Sequence, residues 1–206
     1  MTDFFEVFGL PRRLAVDVAA LQRRFYELSR RWHPDFHQAA PAEEQARALE
    51  ESARVNAAYR ALRDPLARVE YLVRLEEGRG TREGAAVKPK APPALLAEMF
   101  EIQEALEAVR AEAAPGRRGE PEIESALSTL REQRDALRAR MTEAERQIAG
   151  PLSAAWDAAV PPARPAALGA LKDALATRAY LRTVIDDLGA ALGEETEEAN
   201  AAHRRH

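Results

Sequence analysis

His33 and Asp35 flank Pro34, and His37 follows two positions later, so one short stretch gathers the side-chain types that acid–base and metal chemistry use. An imidazole beside a carboxylate can act as an acid–base pair, and two histidines with an aspartate can ligate a metal. Neither chemistry is well served here. Ligands so close together in one loop leave no room for a supporting shell, and Pro34 prevents the one-face i, i+4 placement that zinc proteases use. The alternative is conformational. Proline disfavours a helical residue before it and removes a backbone donor, so His33 should end a helix or lie just past it, with the tripeptide at the tip of a turn between helices.

The flanking elements read as helices. Asp17 can cap a helix whose Val18, Leu21, Phe25, Leu28 and Trp32 recur at steps of three and four, with Arg23, Arg24, Arg30 and Arg31 on the opposite face and Glu27 among them. By itself such a charge run is an ordinary solvated face. After the turn from His33 to Pro41, a second long helix is expected from about Ala42 to Leu62, with Leu49, Ser52, Val55, Asn56, Tyr59 and Leu62 on one side, ended by Asp64-Pro65. A further helix is expected from Leu66 to Leu75. Ahead of all this, Phe4-Phe5-Glu6-Val7-Phe8-Gly9-Leu10-Pro11 reads as a short packed helix or turn. The two long helices, joined by a short connection, should pair antiparallel and present the tripeptide at one end.

Composition narrows the function classes. The 206 residues are 46% hydrophobic, enough for one or two compact cores, and contain no cysteine. That excludes disulfides, thiolate metal ligation and a cysteine nucleophile, and favours a reducing, cytoplasmic setting. The N-terminus lacks a basic, apolar leader, and no segment approaches the ~20 apolar residues needed to cross a bilayer, so no membrane partner is expected. A net charge of −4 and a pI near 5.7 argue against a dedicated nucleic-acid binder.

Residues 77–93, rich in glycine and proline, read as a linker between a first domain, 1–76, and a second, 94–193, with a polar tail from 194 to 206. The second half resumes helical periodicity at Leu95 and breaks around 114–121. It resumes through Ile123, Leu127, Leu130, Leu137, Met141, Ala144 and Ile148, with Arg134 the one break, and Gly150-Pro151 is expected to stop it. A short segment holds Leu152, Trp156 and Val160. A last helix is expected from about Ala166 to Leu192, with Leu171, Leu175, Leu181, Ile185, Leu188 and Leu192 as its stripe. No strand pattern is evident, so the fold class is all-α, with a three-helix antiparallel bundle in the second half. Trp32, Tyr59, Met141 and Trp156 are assigned to cores. Near Leu95 the core stripe is Leu95, Met99, Ile102, Leu106 and Val109, and Leu96 and Phe100 fall off it beside Ala97, Glu101 and Glu104. Such a pair either covers another helix of the bundle or forms an outward docking patch; periodicity leaves both open.

The ordered set of an aromatic N-terminal segment, a basic helix, His33-Pro34-Asp35 and Asn56-Ala57-Ala58-Tyr59-Arg60-Ala61-Leu62-Arg63-Asp64-Pro65 resembles a J domain, the module by which co-chaperones engage a chaperone ATPase. The opening Phe4 to Pro11, the segment Asp64 to Leu72 and the helical second half narrow the resemblance to the HscB family of iron–sulfur cluster assembly. The likeness covers nearly the whole chain and is strongest in the first 75 residues.

That resemblance implies a co-chaperone without catalytic activity or cofactor of its own. Its J domain would stimulate ATP hydrolysis by the chaperone HscA, and its C-terminal bundle would recruit the scaffold protein IscU. His33, Pro34 and Asp35, with Arg23, Arg24, Arg30 and Arg31, take the chaperone-binding role. Leu96, Ala97, Phe100, Glu101, Glu104 and Tyr180 take the scaffold-binding role. A J-domain protein serving a different client is the alternative. Relatives often place Lys then Phe after the tripeptide, whereas Phe36 follows at once here, which implies a locally altered loop. The paired cysteines of an N-terminal zinc module are missing, in keeping with a bacterial cytosolic form. The stretches 111–120 and beyond Leu192 have no place in the family pattern.

Overall fold

A computed structural model describes residues 3–78, 93–112 and 121–193, and among these every regular element is helical. Most of the expected linker, residues 113–120 and the tail 194–206 lie outside the described residues. The chain forms two compact units, 1–87 with 147–172, and 88–146 with 173–206.

In the first unit, α1 (Phe4–Val7) is fixed by a capping box: Asp3 accepts from the Glu6 amide at 2.9 Å, and the Glu6 carboxylate accepts from the Asp3 amide at 3.2 Å. Arg12 Nε donates to Asp3 at 2.5 Å. Phe5 and Phe8 are buried, and Phe4 stacks on Tyr71 with ring centroids 4.6 Å apart. Asp17 caps α2 (Val18–Arg31), accepting from Ala20 N at 3.0 Å. α3 spans Ala42–Arg63 and α4 spans Pro65–Glu76. Phe25 stacks on Tyr59 at 4.1 Å, while Trp32, seven residues further along α2, meets Arg47, twelve residues earlier on α3, so the pair is antiparallel. Asp64-Pro65 both ends α3 and starts α4, because Asp64 accepts from Ala67 N at 2.8 Å and Pro65 takes the first-turn position where its missing N–H costs nothing.

The large-residue stripe expected for α3 is shifted. Leu49 is 61% exposed and Asn56 is also exposed, while the buried positions are Ala48, Val55, Ala58 and Leu62. α3 packs against α1, α2 and α4, and alanines permit that close approach on several sides. Val18, expected on the α2 stripe, is exposed as well, because it occupies the first turn, whereas Leu21 is buried.

Gly150-Pro151 does not stop the long helix α6 (Pro121–Gln147). The backbone widens through a π turn at Ile148–Leu152 and continues as α7 (Ser153–Ala158). A π turn accommodates a proline that an α-helical ladder rejects. The Ser153 hydroxyl donates to the Ile148 carbonyl at 2.6 Å, and Ile148 and Trp156 are buried. The expected continuous second domain, 94–193, is therefore interrupted: residues 147–172 pack with the first unit.

In the second unit, α5 (Pro93–Glu112), α6 and α8 (Arg164–Leu192) share a core of Ile102, Leu106, Leu130, Leu137, Leu181, Val184, Ile185 and Leu188. Arg134, the one break in the α6 stripe, remains on the buried face at 7% exposure and turns its guanidinium onto Asp135, with Nε and Nη2 at 3.1 and 2.8 Å from Oδ1. Its aliphatic stem fills the position a leucine would take.

Candidate functional site

The turn after α2 begins at Trp32, whose amide still donates to the Leu28 carbonyl at 3.0 Å. His33 then adopts φ −65, ψ 127, the extended conformation that a following proline imposes, and caps a 3-10 turn over Pro34–His37. The expected loop tip is thus an ordered turn, and the tripeptide is exposed on it.

The local hydrogen bonds decide between chemistry and presentation. His33 Nδ1 accepts from the Asp35 amide at 3.3 Å, so in the neutral ring this nitrogen carries no proton. It cannot then donate to the Asp35 carboxylate, whose Oδ2 lies 3.6 Å away, beyond hydrogen-bond reach. An acid–base dyad needs the opposite arrangement. His37 is engaged elsewhere. Its Nε2 lies 3.0 Å from the Arg31 carbonyl and its Nδ1 3.5 Å from Glu44 Oε1. Among the described residues no group of three or more metal-ligating side chains converges.

The turn therefore presents His33, Pro34 and Asp35 on a fixed backbone. Phe36, 70% exposed, packs edge-on to the His33 ring at 5.9 Å. Arg23, Arg24, Arg30 and Arg31 are all exposed, and the seven-residue spacing within 23/30 and 24/31 puts them on one face of α2. Arg24 pairs with Glu27 at 2.9 Å, a surface contact of small energy. Arg31 lies over the Trp32 ring at 5.1 Å, and Arg47 of α3 approaches the same ring at 5.8 Å. Arg30 and Arg31 thus lie at the same end of the α2–α3 pair as the tripeptide, and Arg23 and Arg24 extend the row back along α2. A cationic face of this kind contributes orientation and association rate at an acidic protein surface.

On α5 the outward face differs in character. Phe100 is 72% exposed, and Ala97, Glu101 and Glu104 are exposed with it, while Ile102 and Leu106 face the core. Of the two arrangements that periodicity left open, Phe100 takes the outward one. Leu96 lies on the α5 backbone, and its side chain is outside the described residues. Tyr180 of α8 is half-buried against the core cluster, and its hydroxyl is held above the usual phenol range by burial and by the charge of Glu98. Glu98 itself pairs with Arg140 at 2.6 Å. α5 and α8 thus bring Tyr180 near the residue next to Ala97 in sequence.

Sequence reasoning missed the contacts at the opposite end of the α2–α3 pair, where α3 ends and the chain enters α2. Arg68 of α4 is 4% exposed and spends its guanidinium on carbonyls: Nε donates to Leu62 O at 2.7 Å, Nη1 to Leu14 O at 2.5 Å and Nη2 to Arg63 O at 3.5 Å. Burial lowers its pKa from the usual arginine value, partly offset by Asp64 and Asp157. The negative C-terminal end of α3 is where such a cation is best tolerated. The Asp64-Pro65 signal marked that helix end, but nothing in the sequence marked its partner.

Residues 3–71 match the family model described as the DnaJ domain. Two Vibrio cholerae proteins, from strains O395 and N16961, each described as a co-chaperone protein HscB homolog, are 37% identical to this chain over 113 residues, covering 55% of this chain and 64% of theirs. The match thus spans slightly less than two thirds of those relatives. The crystal structure of human co-chaperone protein HscB aligns over 91% of this chain and 81% of that one, at 25% identity and a TM-score of 0.57.

Proposed function

From the premise that this chain contains a DnaJ domain and is a homologue of the HscB co-chaperones, we propose that it is a cytoplasmic co-chaperone joining an HscA-type chaperone ATPase to an IscU-type iron–sulfur scaffold. The observation that carries the reading is the exposed His33-Pro34-Asp35 turn, whose hydrogen bonds fix its backbone, next to the cationic face of Arg23, Arg24, Arg30 and Arg31. These residues dock on the ATPase. The surface formed by Ala97, Phe100, Glu101 and Glu104, with Leu96 and Tyr180, holds the scaffold.

Joining both partners raises the effective concentration of client at the chaperone, and the turn's contact favours hydrolysis and client capture. The chain carries no catalytic group or cofactor in this reading, and without cysteine it leaves thiolate ligation of the cluster to its partners. His33→Gln is expected to abolish stimulation of the chaperone ATPase while leaving scaffold affinity unchanged. Normal stimulation by that variant would overturn the docking role of the turn.

A further inference from the structure

His37 lies outside the tripeptide, yet its ring meets every element around it. α2 ends at Arg31, and a helix's last carbonyls lack partners within the helix. The Arg31 carbonyl can only accept, so the contact at 3.0 Å requires His37 Nε2 to carry its proton and donate. The ring lies 6.2 Å from that of Trp32, at 18° to it. Its Nδ1 lies 3.5 Å from Glu44 Oε1 in the first turn of α3, and the side chain is only 17% exposed. One imidazole therefore ties the end of α2 to the 3-10 turn, and its other edge lies beside the start of α3.

We propose that His37 is a latch that holds the His33-Pro34-Asp35 turn in its docking conformation, a positioning residue acting through the backbone between Arg31 and His37. The closed stretch 32–36 contains the whole tripeptide, so the bond from position 37 to position 31 fixes both its ends. The bonds from Asp35 N to His33 Nδ1 and from Phe36 N to the His33 carbonyl lie inside that stretch and cannot fix its direction relative to α2. Gln45 Nε2, which donates to the Gln38 and Ala40 carbonyls, ties the residues after the turn to α3 rather than to α2. A turn that samples other orientations binds with an affinity reduced by the fraction of time spent in the competent one.

The docking role of the turn rests on the proposed co-chaperone function, so the test has one arm independent of it. In the full chain, amide hydrogen exchange over residues 33–38 is expected to be roughly three- to tenfold faster in His37→Ala than in wild type, the loss of one side-chain hydrogen bond. His37→Gln, whose amide nitrogen can still donate to the Arg31 carbonyl, should stay closer to wild type. Equal exchange in His37→Ala and wild type overturns the latch.

In the second arm, an HscA-type ATPase is titrated with each variant and with His33→Gln. The half-saturating concentration of His37→Ala should rise roughly three- to tenfold with maximal stimulation unchanged, and Gln should restore most of it. If wild type stimulates, His33→Gln does not, and His37→Ala titrates like wild type, the latch is wrong while the docking reading stands. If wild type itself fails to stimulate, the docking reading falls and the exchange arm alone decides the latch.

Discussion

Asp157 accepts the backbone amides of Leu14 at 2.8 Å and Ala15 at 2.7 Å, so a carboxylate from α7 holds the strap that leads into α2. Trp156, its neighbour, is buried beneath the Arg164 guanidinium, 5.3 Å from the ring. Leu14 also gives its carbonyl to Arg68, which fixes both polar sides of that residue. The first unit is consequently completed by a segment that follows the bundle helix α6 in sequence.

Asp157→Ala is expected to destabilise the first unit by about 2 kcal/mol, the value of charge-assisted bonds to two amides in a half-buried setting. Both tryptophans, Trp32 and Trp156, belong to this unit, so urea unfolding followed by tryptophan fluorescence reads it selectively. Asp157→Asn retains one acceptor and should lose about half as much. An unchanged urea midpoint in Asp157→Ala would show that the strap holds without its carboxylate.

Tyr71 gives the first unit a pH dependence. Its ring is fully buried and its hydroxyl accepts from the Phe4 amide at 2.8 Å; burial raises its pKa, only partly opposed by that bond. The unfolded phenol titrates near ~10, so its contribution to stability is complete below that value and is lost as pH rises toward the higher folded value. Between pH 9 and 11 the wild-type urea midpoint should therefore fall more than that of Tyr71→Phe. At neutral pH the same variant should be less stable by about 1 kcal/mol for the lost bond. Parallel slopes in the two proteins would remove Tyr71 as the source.

Legibility in the sequence followed the range of each interaction. Asp17, Asp64-Pro65 and the turn from His33 to Pro41 act through neighbours within a few residues, and their roles could be read directly. Phe100 was legible as a departure from the stripe of α5, although only the structure chose between covering a helix and facing outward. Ala48 and Ala58 were not legible as core, since counting large residues favours Leu49, and only the approach of three other helices selects the small side chains. The bonds from Asp157 to Leu14 and from Arg68 to Leu14 span 143 and 54 positions, and no periodicity encodes them. Gly150-Pro151 read as a stop because its local propensity is that of a helix end, whereas a wide turn and the burial of Ile148 and Trp156 carry the chain through.

Arg68→Met should cost the first unit about 3 kcal/mol, because it leaves the carbonyls of Leu62 and Leu14 buried without their donor. Arg68→Lys keeps a charge but replaces a planar fork with a single ammonium that cannot span both carbonyls, so it should lose nearly as much. The urea midpoint by tryptophan fluorescence checks both, and a lysine variant as stable as wild type would show that charge alone suffices.

The α5 surface gives the prediction that separates fold from function. Phe100 is 72% exposed, so Phe100→Ala removes little buried area and should leave the stability of the second unit within about 0.5 kcal/mol of wild type. A partner that covers the ring would lose on the order of 2 kcal/mol on truncation, or roughly thirtyfold in affinity, because exposed aromatics anchor interfaces when they become desolvated. Glu101→Ala and Glu104→Ala should weaken binding less at physiological salt and more at low salt, as solvated charges at the rim of an interface do. Calorimetric titration with an IscU-type scaffold measures all three. Unchanged affinity in Phe100→Ala would remove this face from the proposed scaffold recognition and favour a different client, while leaving the proposed role of the His33-Pro34-Asp35 turn untouched.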